Sequence, residues 1–229
     1  MLRLSSEKDR HLLKNLRDRN LTARIRQPAD EFWDRYLGVR TFGYHPGIGG
    51  PGEREWYMHY VPSSYKDVFA VLDRAGVGTD DVVTDLGCGL GRVVFAAAYR
   101  GAARVEGVEL IPSLSAAAEA NLATSRLKHR DIRFHARNAL DHNLSGASLL
   151  YLFHPFGPEI LGEVMEKARD DRRSAASRRP LRIAYVNPVG ESILNEAGWL
   201  RPAGDMPPRH QWFSNSLHYR TAFWESTDV

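Results

Sequence analysis

Residues 82–92 of the chain read VVTDLGCGLGR. An apolar run ends there at an acidic residue, three glycines follow at alternate positions, and a helix-forming segment comes next. Glycine is favoured where the chain turns sharply and where a ligand must approach the backbone closely. The free amides at the start of the next helix attract an anionic group. The stretch therefore predicts a strand, a ligand-binding loop and a helix, which together form the first unit of an α/β fold.

The glycine spacing differs from that of two common nucleotide-binding loops. The dinucleotide-binding pattern G-x-G-x-x-G, counted from Gly87, requires its third glycine where this chain has Arg92. The phosphate-binding pattern G-x-x-x-x-G-K-[ST] does not occur in the sequence. A nicotinamide-dependent dehydrogenase is therefore disfavoured.

Strand and helix patterns alternate on both sides of this loop. Predicted strands lie at 82–86, 104–109, 132–135, 148–153 and 181–187, and predicted helices at 64–75, 92–100, 112–129, 158–169 and 191–197. This order predicts a mostly parallel sheet with helices on both faces, and continuous apolar runs such as LLYLF are typical of buried parallel strands. A turn-rich segment, 198–210, and a strand-like one, 217–225, come last. We therefore expect a seven-stranded sheet that closes with an antiparallel C-terminal hairpin.

The glycine loop resembles motif I of the class I S-adenosylmethionine-dependent methyltransferases, D/E-x-G-x-G-x-G. The matching residues are Asp85, Gly87, Gly89 and Gly91. The resemblance implies a Rossmann-like class I methyltransferase fold, with the loop against the methionine part of S-adenosylmethionine. It also implies that Asp85 supplies a hydrogen-bond acceptor and that Cys88 lies at the cofactor. S-adenosylhomocysteine would be the product.

A second predicted strand ends in GVEL, residues 107–110, and carries an acid at Glu109. Glu109 follows Gly91 by 18 residues, close to the roughly 20 at which nucleotide-binding units present a carboxylate to ribose hydroxyls. A carboxylate accepts hydrogen bonds from both hydroxyls. We therefore assign Glu109, with Leu110 beside it, to the cofactor site.

A third match follows the next strand, in RFHARNALD at residues 133–141. The resemblance implies that a polar side chain here meets the adenine amino group and that the next backbone amide meets a ring nitrogen. Asn138 and Ala139 occupy these positions. Asp141 competes with Asn138 for the first role.

The fourth predicted strand ends in LLYLFHPFGPE, residues 149–159. The resemblance implies that Phe153 lies at the cofactor and that His154, Pro155 and Phe156 face the methyl acceptor. Members that methylate amino groups often carry [D/N/S]-P-P-[Y/F] at this point. The sequence His-Pro-Phe departs from that pattern, which argues against nucleobase or glutamine nitrogen as the target.

His154 is the candidate catalytic residue. The unperturbed pKa of histidine, about 6.5, suits removal of a proton from a hydroxyl or an ammonium group at neutral pH. The alternative is that His154 caps the strand end or packs on Phe156. The sequence leaves both interpretations open.

The wider pattern is similar to small bacterial methyltransferases of unassigned substrate and, more distantly, to the non-SET histone-lysine methyltransferases. It spans roughly residues 55–190 and includes Y-x-P-x-x-Y, with Tyr60, Pro62 and Tyr65, and YVNP at residues 185–188. By this resemblance Tyr60 would face the substrate and Tyr65 the cofactor. Aromatic packing in the core explains both tyrosines equally well.

We divide the chain into two parts. Residues 1–65 form an extension, with a weakly amphipathic helix over 1–26 and an aromatic, glycine-rich and proline-rich stretch from 32 to 65. This extension is expected to act as a lid or acceptor cap. Residues 66–229 form the S-adenosylmethionine-binding methyltransferase domain.

Composition bounds the location and the partners. The formal net charge is only +3, far below the cationic excess of an obligate nucleic-acid binder. No apolar run approaches the roughly 18 residues of a membrane span, and no secretion signal is recognisable, so we expect a cytoplasmic protein. The single cysteine excludes a disulfide framework and a cysteine-based zinc site, and we expect no metal.

The sequence leaves the methyl acceptor open. A small molecule or a protein side chain, methylated on N or O, is favoured. RNA is an alternative, because basic segments at 1–26 and 169–182 offer contacts to phosphates. A cofactor-binding module without activity is another. The oligomeric state is not determined.

Overall fold

The chain folds around one seven-stranded sheet in the computed structural model, which describes residues 29–42, 62–175, 179–208 and 219–227. The strands are β1 (Val82–Leu86), β2 (Arg104–Glu109), β3 (Asp131–Ala136), β4 (Leu149–Phe153), β5 (Arg182–Val186), β6 (Leu200–Met206) and β7 (Thr221–Ser226). Their order across the sheet is β3-β2-β1-β4-β5-β7-β6. Strands β1 to β5 pair in parallel, and β7 is antiparallel to both of its neighbours. The predicted fold class, including the antiparallel C-terminal hairpin, is confirmed.

Helices cover both faces of the sheet. They are α1 (residues 29–37), α2 (Tyr65–Arg74), α3 (Arg92–Tyr99), α4 (Pro112–Thr124), α5 (Pro158–Ser174) and α6 (Glu191–Glu196), with a 3-10 turn at Ala139–Asp141. In β4, Leu149 and Tyr151 join the core under α1 to α4, while Leu150 and Leu152 join the core under α5 and α6. This alternation explains why β4 is apolar at every position: each of its faces is buried.

Two helices end at other residues than the sequence predicts. Helix α4 stops at Thr124 rather than near 129, because Ser125 takes an extended conformation and its hydroxyl donates to Leu37 O at 3.1 Å. Helix α5 continues to Ser174 rather than 169, and the pair formed by Lys167 and Asp171, 2.8 Å apart, supports its last turns.

Strand β6 lies within the segment that the sequence marks as turn-rich. Pro202 and Gly204 sit inside it, and the pairing with β7 shifts register between Pro202 and Asp205. Strand β6 is at the edge of the sheet, where a proline costs no ladder hydrogen bond and a bulge is tolerated. Turn-forming residues therefore do not exclude a strand at this position.

Residues 29–42 of the N-terminal extension are bonded to the core of the sheet domain. Arg92, the first residue of α3, is 3% exposed. Its Nη1 donates to Asp30 Oδ2 at 3.0 Å and its Nε donates to Thr41 Oγ1 at 2.8 Å. Residues 29–42 are thus fixed directly behind the glycine loop. Residues 62–65 of the extension are also described, whereas residues 1–28, with the predicted helix over 1–26, and residues 43–61 lie outside the described residues.

Asp34 on α1 is the acceptor that holds this segment in place. Its carboxylate accepts from the Thr41 amide and the Thr41 hydroxyl, each at 2.7 Å, from the Tyr65 hydroxyl at 2.8 Å and from the Phe42 amide at 3.2 Å. Asp34 and Tyr65 are both buried. Burial, with the neighbouring Asp34 carboxylate, raises the pKa of the Tyr65 hydroxyl well above its usual value, so this hydroxyl remains a donor.

Replacing Asp34 with alanine is expected to lower the free energy of unfolding by about 2–4 kcal/mol, because each buried donor left without a partner costs about 1–3 kcal/mol. Urea unfolding followed by circular dichroism measures the change. Asp73→Ala on α2 is the matched control: Asp73 forms an exposed pair with Arg100, and such pairs contribute at most about 1 kcal/mol. Equal losses in the two variants would contradict the proposed anchor.

Candidate active site at the carboxyl edge of the sheet

The carboxyl ends of β1, β2, β4 and β5 meet at one edge of the sheet. Strand β1 has β2 on one side and β4 on the other, so the chain reverses its winding direction between β1 and β4. Ligands of open α/β sheets bind outside the carboxyl ends of the strands at such a point. Asp85, Glu109 and His154 all lie at this edge, as the sequence predicts.

The glycine loop turns sharply between β1 and α3. The φ angles of Gly87, Gly89 and Gly91 are 82°, 54° and 87°, all in the left-handed region that favours glycine. The amides of Gly87 and Cys88 donate to Val108 O at 2.8 and 3.1 Å, and the Gly91 amide donates to Cys88 O at 2.8 Å. These bonds hold the loop against the end of β2.

Close packing against neighbouring protein atoms also requires glycine at two of these positions. A Cβ at Gly87 would lie 2.9 Å from Pro155 Cβ, and one at Gly91 would lie 2.7 Å from Phe134 Cζ. From the sequence, the glycines are explained by the turn and by a ligand. The structure adds close packing against β3 and against the segment after β4.

Two carboxylates stand side by side behind the loop. Glu109 Oε2 accepts from the Gly89 amide at 2.8 Å, and Oε1 accepts from the Ile111 amide at 2.9 Å. Asp85 is 4% exposed. Burial, with the nearby Glu109 charge, raises the pKa of Asp85 to about 8. A cation bound beside Asp85 would favour its ionised form.

The other predicted loop residues differ in what they offer to a ligand. Leu110 is 44% exposed and presents an apolar surface next to Glu109. Cys88 is buried, and its Sγ lies against Gly107. Burial raises the pKa of the Cys88 thiol well above its usual value. The predicted contact between Cys88 and a cofactor is therefore not available to its side chain, which faces the core.

The segment after β3 contains the predicted adenine contacts. Asn138 caps the 3-10 turn: its Oδ1 accepts from the Leu140 amide at 3.0 Å. Ala139 is buried under the turn, and Asp141 is exposed at its end. Asn138 thus has a structural role at the start of the turn that carries the Ala139 amide, and its contact with adenine stays a prediction.

His154 follows β4 directly and has a left-handed backbone, with φ 42°. Its Nδ1 lies 3.1 Å from the hydroxyl of Tyr185 on β5, a side chain that is fully buried. Burial lowers the pKa of His154 below its usual value, which favours the neutral imidazole. Phe156, the packing partner considered from the sequence, packs instead toward the core under α5 and α6. The partner of His154 in the structure is Tyr185.

The remaining predicted positions are a tyrosine pair and two residues next to His154. Tyr65 is fully buried, with Arg92 over its ring at 4.7 Å. The prediction that it borders a cofactor is corrected, because its side chain has no exposed surface. Tyr60 lies outside the described residues. Phe153 and Pro155 are half-buried at the edge, and the Phe153 ring meets that of Tyr219 edge-on, with centroids 5.2 Å apart.

Comparison with known proteins bears on the same region. A family model described as histone methylation protein DOT1 matches residues 58–145. None of the curated proteins compared with the chain matches it. The RNA methyltransferase from Salinibacter ruber in complex with S-adenosyl-L-homocysteine is similar in structure, with a TM-score of 0.52, 19% identity, and coverage of 74% of this chain and 95% of that chain.

Magnesium protoporphyrin IX methyltransferase from Synechocystis with bound S-adenosylmethionine is also similar, with a TM-score of 0.53, 15% identity, and coverage of 71% of this chain and 78% of that chain. The chain has the class I methyltransferase fold. The resemblance predicted from the glycine loop is thereby confirmed. Precorrin 8W decarboxylase from Methanobacterium thermoautotrophicum shares this fold, with a TM-score of 0.50, 18% identity, and coverage of 73% and 92%.

Within the class I methyltransferase fold, sequence reasoning gave no role to two tyrosines. Tyr185, quoted in YVNP, positions His154, and Tyr219 packs on Phe153. Asn187, whose backbone is left-handed with φ 54°, directly follows β5. An Asn-Pro pair is a turn signal and marks the strand end, but the partners of the tyrosines come from distant parts of the chain. Among the described residues no helix has the length and apolar composition of a membrane crossing.

The raised pKa of Asp85 predicts how stability depends on pH. An unfolded Asp ionises near its usual pKa of 3.8, whereas the folded protein keeps this proton up to about pH 8. The stability of the ligand-free protein should therefore fall as pH rises through this window. Asp85→Asn removes the effect and should be more stable than the parent protein at pH 8.5 but similar at pH 4.

Urea unfolding at the two pH values measures the difference. Asp80→Asn, at an exposed position before β1, is the control and should track the parent protein. A constant difference between Asp85→Asn and the parent across this range would show that Asp85 ionises normally.

Proposed function

We propose that the chain is an S-adenosylmethionine-dependent methyltransferase that acts on an N or O atom of a small-molecule or protein acceptor. The observation that carries the proposal is the pair of buried carboxylates, Asp85 and Glu109, behind a left-handed glycine loop at the switch point of the sheet. The solved structures with this fold that contain S-adenosylmethionine or S-adenosylhomocysteine support the choice of cofactor.

The residues at the edge fit S-adenosylmethionine. Asp85 is a buried acid to which no described residue donates a hydrogen bond, so it suits the ammonium group of the methionine part. Glu109 suits the ribose hydroxyls if it exchanges the Gly89 amide for them, and Leu110 offers an apolar surface to the base. Asn138 and Ala139 would meet the adenine edge.

Methyl transfer depends more on the alignment of the methyl donor with the acceptor than on a strong acid or base. When bound, S-adenosylmethionine supplies an activated methyl group on a sulfonium. The chain then has to hold the acceptor in line and keep water away. Half-buried Phe153 and Pro155 at the end of β4 provide the apolar wall for this.

We infer that His154 accepts the proton that the acceptor loses. If Nδ1–H donates to the Tyr185 hydroxyl, the lone pair of Nε2 remains available to the acceptor. The lowered pKa of His154 keeps this nitrogen unprotonated at neutral pH. Tyr185 is then a positioning residue, held in turn by the Gly190 amide, 3.4 Å from its hydroxyl.

RNA is the less favoured acceptor. In the arginine-rich segment 169–182, the guanidinium groups of Arg172, Arg179 and Arg182 donate to backbone carbonyls of other parts of the chain. Arginines engaged in this way are poor contacts for phosphates. A steep loss of RNA affinity with rising salt would favour RNA as the methyl acceptor.

The N-terminal extension is proposed to cap the acceptor side. Supporting this, residues 29–42 are bonded to Arg92, which directly follows the glycine loop. The division between an extension, 1–65, and a methyltransferase domain, 66–229, remains a proposal, as does a cytoplasmic location.

Asp85→Ala and Glu109→Ala are each expected to weaken S-adenosylhomocysteine binding about 10-fold to 100-fold, since a hydrogen bond to a charged group contributes about 1.5–3 kcal/mol. Calorimetry with the purified chain measures this. Glu163→Ala, at an exposed position on α5, should bind as the parent does. Unchanged affinity in both acidic-site variants would remove the basis of the proposal.

His154→Ala is expected to slow methyl transfer about 100-fold to 10,000-fold while leaving S-adenosylhomocysteine affinity nearly unchanged. Transfer of a labelled methyl group to any component of a cell extract is the measurement. Tyr185→Phe should shift the pH profile of the same transfer, and His129→Ala, exposed after α4, is the control.

Two results would count against these roles. Full activity of His154→Ala would reduce His154 to a packing residue. A parent protein that binds S-adenosylhomocysteine but labels nothing would support the alternative of a binding module without activity.

A further inference from the structure

A cluster of two histidines and a glutamate lies outside the candidate active site. Glu106 is on β2, His135 is on β3, and His142 follows the 3-10 turn at Ala139–Asp141. One ligand atom of each lies within 4.8 Å of the others. Their side chains share the sheet face covered by α5, because Glu106 alternates with Gly107 and His135 alternates with Phe134 along the strands.

His135 has a nitrogen that the protein leaves unused. Its Nε2 is buried, and no described residue makes a hydrogen bond with it. A buried polar atom without a hydrogen-bond partner lowers the stability of the folded state. A ligand bound to this nitrogen would remove that cost. The ring of His142 lies beside it, with centroids 4.6 Å apart.

The other two residues are already close together. His142 Nε2 lies 3.0 Å from Glu106 Oε2. Metal–ligand bonds of about 2.0–2.2 Å in a tetrahedral zinc site place ligand atoms about 3.3–3.5 Å apart. The closest pair would open by a few tenths of an ångström, and a small rotation of the half-buried His135 would bring in the third ligand.

The surrounding charges allow a cation at this point. Arg104 and Arg133 lie nearby, and each is paired with Asp131 at 2.8 Å. Arg137 is exposed to solvent, which screens its charge. Glu106, the acid of the cluster, directs its carboxylate toward the imidazoles and lies 3.0 Å from His142 Nε2.

We propose that Glu106, His135 and His142 bind a divalent transition metal, with Zn²⁺ as the best match. Two imidazoles and one carboxylate form a typical zinc donor set, and a fourth position stays open for water. Mg²⁺ is a poor match, because it prefers oxygen ligands in octahedral geometry. The expectation of no metal rested on the single cysteine, which has no bearing on a donor set of this kind.

The metal would link β2, β3 and the segment after the 3-10 turn, on the side of the sheet where β3 is the outermost strand. His135 and His142 bracket the turn that contains Asn138 and Ala139, so a metal fixes both ends of that turn. The gain in stability follows from binding to the folded state alone. The site does not depend on the proposed methyl transfer, and its test requires no cofactor.

The test is calorimetry of the full chain, freed of metal by dialysis against a chelator and titrated with zinc chloride or magnesium chloride. Zinc should bind at one site and raise Tm, and magnesium should do neither. His135→Ala should weaken zinc binding on the order of 100-fold. Its Tm in chelator should fall only slightly, because the ring contact with His142 is lost but Nε2 has no hydrogen bond to lose.

Two further variants keep the outcome decisive. Glu106→Gln retains an oxygen acceptor for His142 but removes the charge, and it should also weaken zinc binding. His129→Ala, at an exposed position before β3 that is not part of the cluster, should bind zinc as the parent does. Equal zinc affinity in His135→Ala and His129→Ala, or no zinc binding by the parent, would overturn the proposal.

Discussion

The hydrogen bond from the Gly89 amide to Glu109, at 2.8 Å, is the interaction on which the ligand-free arrangement of the candidate site depends. It connects the glycine loop to the end of β2 and brings a second carboxylate next to the buried Asp85. Burial and the nearby Glu109 charge raise the pKa of Asp85, and a cation bound beside Asp85 would favour its ionised form. An ammonium group can pair with ionised Asp85, and vicinal hydroxyls can donate hydrogen bonds to Glu109. S-adenosylmethionine has both groups.

A buried polar network supports the loop from behind. Arg92 leaves the loop as the first residue of α3 and bonds to Asp30 and Thr41, while Asp34 holds the same segment. Such buried charges are costly unless every partner is present. Residues 29–42 are therefore part of the support of the loop rather than an independent appendage.

Features that local sequence pattern determines were predicted well. The bounds of β1 and β2 are those expected from the apolar runs, and the glycine spacing led to the correct fold class. Prediction did less well where long-range packing decides: Tyr65 is in the core, Cys88 faces away from the edge, and β6 forms despite Pro202 and Gly204 because an edge strand tolerates them. No short motif joins Glu106, His135 and His142, because the pairing of β2 with β3 and the turn after β3 bring them together.

The position of the bound ligand decides whether these roles are correct. A crystal structure of the chain with S-adenosylhomocysteine would reveal it. We predict the amino-acid part of the ligand beside Asp85, the ribose on Glu109 in place of the Gly89 amide, and the base next to Leu110. A ligand bound elsewhere, with Glu109 still bonded to Gly89, would contradict the assignment.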